Sequence, residues 1–203
     1  MSSDVNRVFS LRPMGMDDVD RISSWFSDFD DVALFERNLP VPVSPEYVRE
    51  TWKTALAFAD PPRALWFIAE DQDNTPAGVC GLQSINYIHG DAVIPIFVGP
   101  DVRRKGLAVA ISISVIDLAF YKLRLHRVTT FFREDNDATR AITSKLGFQE
   151  EGRLRQASYS DGAHKDMIQV GLLKSDWESV QDSVKNEMDK SGGAVINMHR
   201  THQ

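Results

Sequence analysis

The amino-acid sequence predicts an α+β domain in which helices cover a mixed sheet, on three observations. Apolar density stays high from Val8 to Trp177, and 203 residues suffice for a core that needs no disulfide or metal staple. Within that stretch, apolar runs of strand length are bounded by turn residues and interleaved with segments of helical period. The resulting order, β-α-α-β-β-β-α-β-α-β-β, is that of a sheet flanked by helices.

The first strand is expected over residues 7–12. Asp17 and Asp18 then occupy the electropositive first turn of a helix running to about Ser27, and 28–43 reads as a long loop. Ser44 is a helix N-cap with Pro45 at the first helical position, opening a helix to about Ala59 that Asp60-Pro61-Pro62 stops. Residues 64–70 and 77–88 predict a hairpin across the polar turn 71–75. After His89-Gly90-Asp91, the run 92–98 must be irregular at Pro95, because proline cannot donate to a ladder. Residues 107–121 are apolar on nearly all sides, which predicts a buried helix. A strand at 126–132, a helix at 137–146 ended by Gly147, and strands at 148–152 and 165–173 complete the domain. Its expected span is 5–177. Residues 178–203 are expected to form a helix and a flexible tail broken at Ser191-Gly192-Gly193.

Composition excludes several functions. Lys and Arg number 23 against 29 Asp and Glu, and a net charge of −6 offers no general field for nucleic acid, so any anion site must be local. Cys80 is the single cysteine, no Cys/His cluster has zinc spacing, and no metal is expected. His199 and His202 sit in the tail with no further ligand. No apolar run reaches the roughly 18 residues of a membrane span, and the N-terminus lacks a signal-peptide core. A cytoplasmic protein without a membrane partner is expected.

The sharpest chemical feature lies at 94–110. An apolar strand leads into Arg103-Arg104-Lys105-Gly106 and then into the buried helix, so free backbone amides and the helix dipole converge on one spot suited to phosphate. Gly106 permits close backbone approach, Ala108 keeps the next turn thin, and the three cations supply charge. The alternative is a solvated basic turn before a core helix. Neither a Walker loop nor a Gly-x-Gly-x-x-Gly follows a strand, which disfavours ATP and dinucleotides.

Arg103-Arg104-Lys105-Gly106-Leu107-Ala108 resembles the Gln/Arg-x-x-Gly-x-Gly/Ala loop of the GCN5-related N-acetyltransferase (GNAT) superfamily, which cradles the pyrophosphate of acetyl-CoA. Asn136-Asp137-Ala138-Thr139, Lys145-Leu146-Gly147-Phe148, Glu151-Gly152, Tyr159-x-Asp161-Gly162 and Asp166 resemble the RimJ/RimL-type branch that acetylates N-termini of ribosomal proteins. Ile85-Asn86-Tyr87-Ile88-His89 also resembles the bacterial spermidine acetyltransferases. The resemblance implies a GNAT fold with six to seven strands, a splayed central pair and flanking helices. It implies acetyl-CoA as co-substrate, held by Ile96, Phe97, Val98, Arg103, Arg104, Lys105, Gly106, Leu107 and Ala108, with Asn136, Thr139 and Lys145. A homodimer also follows from the family rather than from these residues.

Acetyl transfer from a thioester to an amine needs a neutral amine, donors for the developing oxyanion and a proton for the departing thiolate. Asn136 is a helix N-cap, and the resemblance adds cofactor contact. Thr139 matches a position near the thioester sulfur where branch members often carry serine. The tyrosine many members use as acid is replaced by Thr143, and the glutamate many use as base by Val93. Glu36, in the loop that forms the family's acceptor wall, is a candidate base or acceptor anchor; its alternative is a surface carboxylate. Without a dedicated base, an α-amine of pKa near 8 costs only about 1.4 kcal/mol to deprotonate at pH 7, against about 4 to 5 for lysine. This favours an N-terminal acceptor, with a polyamine, amino sugar or aminoglycoside, or a non-catalytic CoA-binding module, as alternatives. Trp25, Phe26, Phe29, Phe35, Tyr159, His89 and His126 are expected to pack or sit in turns.

Overall fold

The computed structural model describes residues 8–35, 39, 41–103, 106–190 and 193–198. They form a nine-stranded mixed sheet covered on both faces by helices. β1 (Val8–Pro13) leads into α1 (Met16–Ile22), extended by a 3-10 turn at Ser23–Phe26. α2 (Phe29–Phe35) and α3 (Pro45–Ala55) follow, the latter capped at Ser44, whose hydroxyl accepts from the Tyr47 amide at 3.2 Å. β2 (Leu65–Glu70) and β3 (Pro76–Asn86) make the expected antiparallel hairpin.

Where one strand was expected at 92–98 there are two, β4 (Asp91–Val93) and β5 (Ile96–Val98), separated at Ile94-Pro95. A 3-10 turn at Pro100–Val102 leads to α4 (Leu107–Asp117), which closes in a π turn at Leu118–Lys122. β6 (Arg127–Arg133), α5 (Asp137–Lys145), β7 (Gln149–Ser160), β8 (Ala163–Leu173), α6 (Lys174–Lys190) and β9 (Val195–Met198) complete the order. The sheet runs β7-β8-β6-β4-β3-β2-β1-β9, with β5 beside β3.

Several expectations are corrected. The loop at 28–43 contains α2; the Asp28 carboxylate accepts from the Asp31 amide at 3.0 Å, and Asp30 and Asp31 favour the positive end of the helix. β7 is far longer than 148–152. Its sides are mostly exposed, so no apolar alternation marks it. The strand is held instead by a hairpin to β8 at Asp161-Gly162, both with positive φ, 53° and 77°. Beyond residue 177 the described residues stay packed on the domain. α6 buries Trp177, Val184 and Met188 in the main core, and β9 pairs in parallel with β1, so packing continues to 198. The count of nine strands arises because the run at 92–98 divides into β4 and β5 and because β9 is added beside β1.

Two cores lie on opposite faces. Ile111, Val115, Phe120, Leu82 and Trp177 belong to the larger one, under α4 and α6. Met14, Val19, Ile22, Phe26, Val48, Trp52 and Trp66 form the second, under α1, α2 and α3. At one end of the second core a charged cluster ties β1, α1 and β2 together. Arg12 bonds both Asp18 and Glu70, with Asp18 at 2.7 and 2.8 Å and Glu70 at 2.6 and 2.8 Å, and Arg21 adds a contact to Glu70 at 2.8 Å. No helix among the described residues is long and apolar enough to cross a membrane.

Candidate active site

The site grows from the break at Pro95. β4 pairs with β6 in parallel up to Val93 and Thr129, and the Ile94 amide still reaches the Thr129 carbonyl at 2.9 Å. β5 then pairs only with β3, through Gly78–Val98, Val79–Phe97 and Cys80–Ile96, leaving β6 to diverge. The Gly81 amide bonds the Pro95 carbonyl and the Gly99 amide bonds the Ala77 carbonyl. In an antiparallel ladder every second residue faces its partner. Phe97 therefore turns its backbone groups to β3, while those of Ile96 and Val98 face the opening. Of the three residues expected to hold pantetheine through their amides, only Ile96 and Val98 present them; Phe97 contributes its ring, stacked near Trp25 and Phe26.

The turn before α4 forms the mouth of this opening. Gly106 is the N-cap of α4 with φ 76° and ψ −4°, a left-handed conformation natural to glycine. The first intrahelical bond there is Ala110 to Gly106, so the preceding amides of the first turn keep their donors. Gly106, Leu107 and Ala108 line the cleft. Free amides and a left-handed glycine at a helix N-terminus make a concavity suited to an anion. Arg103 lines it too, but its guanidinium is engaged: Nε donates to the Val98 carbonyl at 3.1 Å, Nη1 pairs with Asp31, and the group sits over the Phe97 ring at 5.4 Å. Arg104 and Lys105 lie outside the described residues.

Asn136 accepts the Thr139 amide on its side-chain oxygen at 3.0 Å, the N-cap role its position suggests. It lines the cleft with Thr139, Thr143 and Ile142. The Thr143 hydroxyl is buried and donates back to the Thr139 carbonyl at 2.9 Å, so it is occupied within the helix. Lys145 is not among the lining residues and pairs with Glu187 on α6 at 2.7 Å, because the last turn of α5 faces α6.

The opening belongs to a cleft of about 1160 Å³ that passes through the sheet. Ser112 and Ile116 of α4 wall one face, and Val48, Thr51 and Trp52 of α3 wall the other. Two reactants can thus approach the splay from opposite sides. Glu36 lies outside the described residues, as do His199 and His202. Among the described lining residues the carboxylate is Asp31, already paired with Arg103. Arg133 also lines the cleft, nearly buried, with Nε on Asp135 at 2.6 Å; that hydrogen bond holds the Asp135 carboxyl below its usual range. Sequence reasoning missed Asp31, Arg133, Trp66 and Gln83 as cleft residues. An aspartate three residues before Asp31, at 28, is the local pattern that could have placed α2; the rest depend on register. Tyr159 stands outside, edge-on to His164 at 5.1 Å, and His89 and His126 are not among the lining residues.

A splayed pair of strands beside a left-handed glycine turn and a helix N-terminus is the arrangement that the acetyltransferase resemblance implies. Residues 9–149 match the family model described as an acetyltransferase (GNAT) domain, and the chain belongs to that family. Over 106 residues it is 31% identical to YdaF of Bacillus subtilis (strain 168), which carries the provisional name of ribosomal N-acetyltransferase, covering 52% of this chain and 58% of that one. Over 109 residues it is 29% identical to the spermidine N(1)-acetyltransferase of Vibrio cholerae serotype O1, covering 54% and 63%. The chain thus matches less than two thirds of the length of these curated relatives. The crystal structure of spermidine N-acetyltransferase from Vibrio cholerae, in complex with CoA and spermine, superposes with a TM-score of 0.75 at 23% identity, over 84% of this chain and 98% of that one. The shared property at that identity is the fold.

Proposed function

We infer that the protein is an acetyl-CoA-dependent N-acetyltransferase that acts on a primary amine, with a peptide or protein N-terminus as acceptor. The observation that carries this reading is a single cleft at the splay lined from both faces of the sheet, by Gly106 and Ser112 on the α4 side and by Val48 and Trp52 on the α3 side. When bound, acetyl-CoA supplies the activated acetyl group. The Gly106 turn and the α4 amides bind its phosphates, with Arg104 and Lys105 as further cations. The backbone groups of Ile96 and Val98 align the pantetheine, and the amine enters from the α3 side and attacks the carbonyl carbon directly. The nitrogen–carbon bond forms as the carbon–sulfur bond breaks, and the amine proton ends on the thiol. Thr139 is the residue we assign to the departing sulfur, and Glu36 to anchoring the incoming amine.

The replacement of a strand glutamate by Val93 supports an α-amine over lysine, since the lower pKa leaves more neutral nucleophile. A cytoplasmic site of action fits the single, buried, unpaired Cys80. A homodimer fits the free edge of β7, where Leu154 and Tyr159 are exposed.

The test is CoA thiol release from acetyl-CoA with N-terminal peptides, lysine peptides, spermidine, amino sugars and aminoglycosides. Burial pushes the Cys80 thiol well above its usual range, so the enzyme's own background is small. Release with α-amines and not with lysine side chains supports the reading. Silence across the panel with acetyl-CoA still bound overturns it in favour of a binding module.

A further inference from the structure

Among the described residues, the α3 side of the cleft holds two polar groups without a hydrogen-bond partner. Trp66 is 7% exposed and lines the cleft, yet its Nε1 is buried and makes no hydrogen bond. An indole N–H can only donate, so with no acceptor among the described residues this group is open to an acceptor carried by a bound molecule. Gln83 lines the same cleft, and its carboxamide has no hydrogen-bond partner among the described residues.

Register puts the two on one face of the sheet. Trp66 lies opposite Gly81, and Gln83 is two residues further along β3, a diagonal neighbour at roughly 7–8 Å. Glycine at 81 makes room for this arrangement, since a Cβ there would meet the Leu65 carbonyl oxygen at 2.2 Å and the Trp66 ring at 3.1 Å. The surroundings are apolar: Trp52 meets Trp66 edge to face at 4.7 Å, and Val43, Val48, Val32 and Phe26 complete the wall.

One donor and one carboxamide able to accept, set in an apolar pocket, complement an amide group beside a bulky apolar side chain. Resting on the acetyl-transfer reading above, we propose that this pocket selects α-amino amides with a bulky apolar first side chain, Trp66 Nε1 donating to the amide carbonyl and Gln83 Oε1 accepting the amide N–H. The side chain fills the space beside Trp52 and Val48, and the free α-amine is left toward the splay. A polyamine has no carbonyl for Trp66, and its cations would meet an apolar wall whose described carboxylate is already paired.

The test titrates the ¹⁵N-labelled protein, whose Trp66 indole resonance is assigned with Trp66→Phe. The titrants are phenylalaninamide, a Phe-initiated tripeptide, phenethylamine and spermidine. The indole proton is expected to move downfield with the first two and to stay with the last two. In turnover, the ratio of kcat/KM for phenylalaninamide over phenethylamine is expected to fall about five- to tenfold in Trp66→Phe and in Gln83→Leu. Taking the ratio within each variant cancels any loss of folded protein. A preference for the tripeptide over the amide marks a polypeptide acceptor, and equal rates mark a free amino-acid amide. An indole that ignores both amides, or a ratio unchanged in both variants, overturns the proposal. If the indole responds but no acceptor releases thiol, the acetyl-transfer reading fails and the pocket stands.

Discussion

Arg103 and Asp31, 72 positions apart in the chain, form an ion pair that joins the glycine turn before α4 to the helix walling the other side of the cleft. The same guanidinium donates to the Val98 carbonyl, which faces the splay. A cation expected for the phosphates is therefore already shared between two partners on the protein.

Competition follows from that arrangement. Asp31→Asn removes the carboxylate and frees a charge beside the cradle, so acetyl-CoA affinity is expected to rise about three- to tenfold at low salt, an effect that shrinks as salt screens it. Calorimetric titration at two ionic strengths checks this. An unchanged Kd at both would mean that Arg103 does not reach the phosphates.

Gly106 separates fold from function. A Cβ there meets nothing closer than 3.6 Å, so Gly106→Ala is strained only by its positive φ and is expected to cost about 1–2 kcal/mol of stability while keeping the cradle. Gly106→Glu adds bulk and negative charge at the amides and is expected to abolish acetyl-CoA binding. Thermal melts and acetyl-CoA titrations on both variants distinguish the two effects.

Thr139 offers a hydroxyl at the cleft, and its amide is already tied to the Asn136 cap. Thr139→Val keeps the shape and is expected to lower kcat by roughly a hundredfold with the KM for acetyl-CoA little changed, while Thr139→Ser retains most activity. Steady-state kinetics decide it. Equal kcat in the valine variant would remove the residue from the proton route.

The cluster around Arg12 sets the acid limit of stability. The Arg12 hydrogen bond holds the Asp18 carboxyl below its usual range. Burial pushes Glu70 upward, and bonds from Arg12 and Arg21 more than offset it, leaving that carboxyl lowered as well. Depressed carboxyls stabilise the fold above their unfolded pKa near 4, and that contribution is lost as pH falls through the lower folded values. Melting temperature is expected to drop below about pH 4. Arg12→Ala leaves two buried carboxylates with Arg21 and, for Asp18, the Gly15 amide, and is expected to cost about 3 kcal/mol at pH 7, a loss that narrows in acid as the carboxyls protonate. Melts from pH 3 to 7 measure both curves.

Much of the fold was legible because its signals are local. Ser44-Pro45 announced α3, the 71–75 turn announced the β2–β3 hairpin, and the all-apolar character of α4 announced its burial. Pro95 marked the splay, and Gly106 marked the cradle. β7 escaped because a strand exposed on both sides carries no apolar period. The packing of α6 and β9 on the domain carries little local signal, because α6 buries only three widely spaced residues and β9 is four residues long.

The sequence by itself determined that a glycine turn opens a buried helix, next to a strand that proline interrupts, because both depend on neighbours within a few positions. Tertiary structure alone decided which side chains share the cleft. Arg103 meets Asp31, Lys145 turns away to Glu187, and Trp66 comes to lie beside Gln83 with its N–H unmet. Each of these follows from strand register or helix packing between segments far apart in the chain, and no local pattern encodes such a contact.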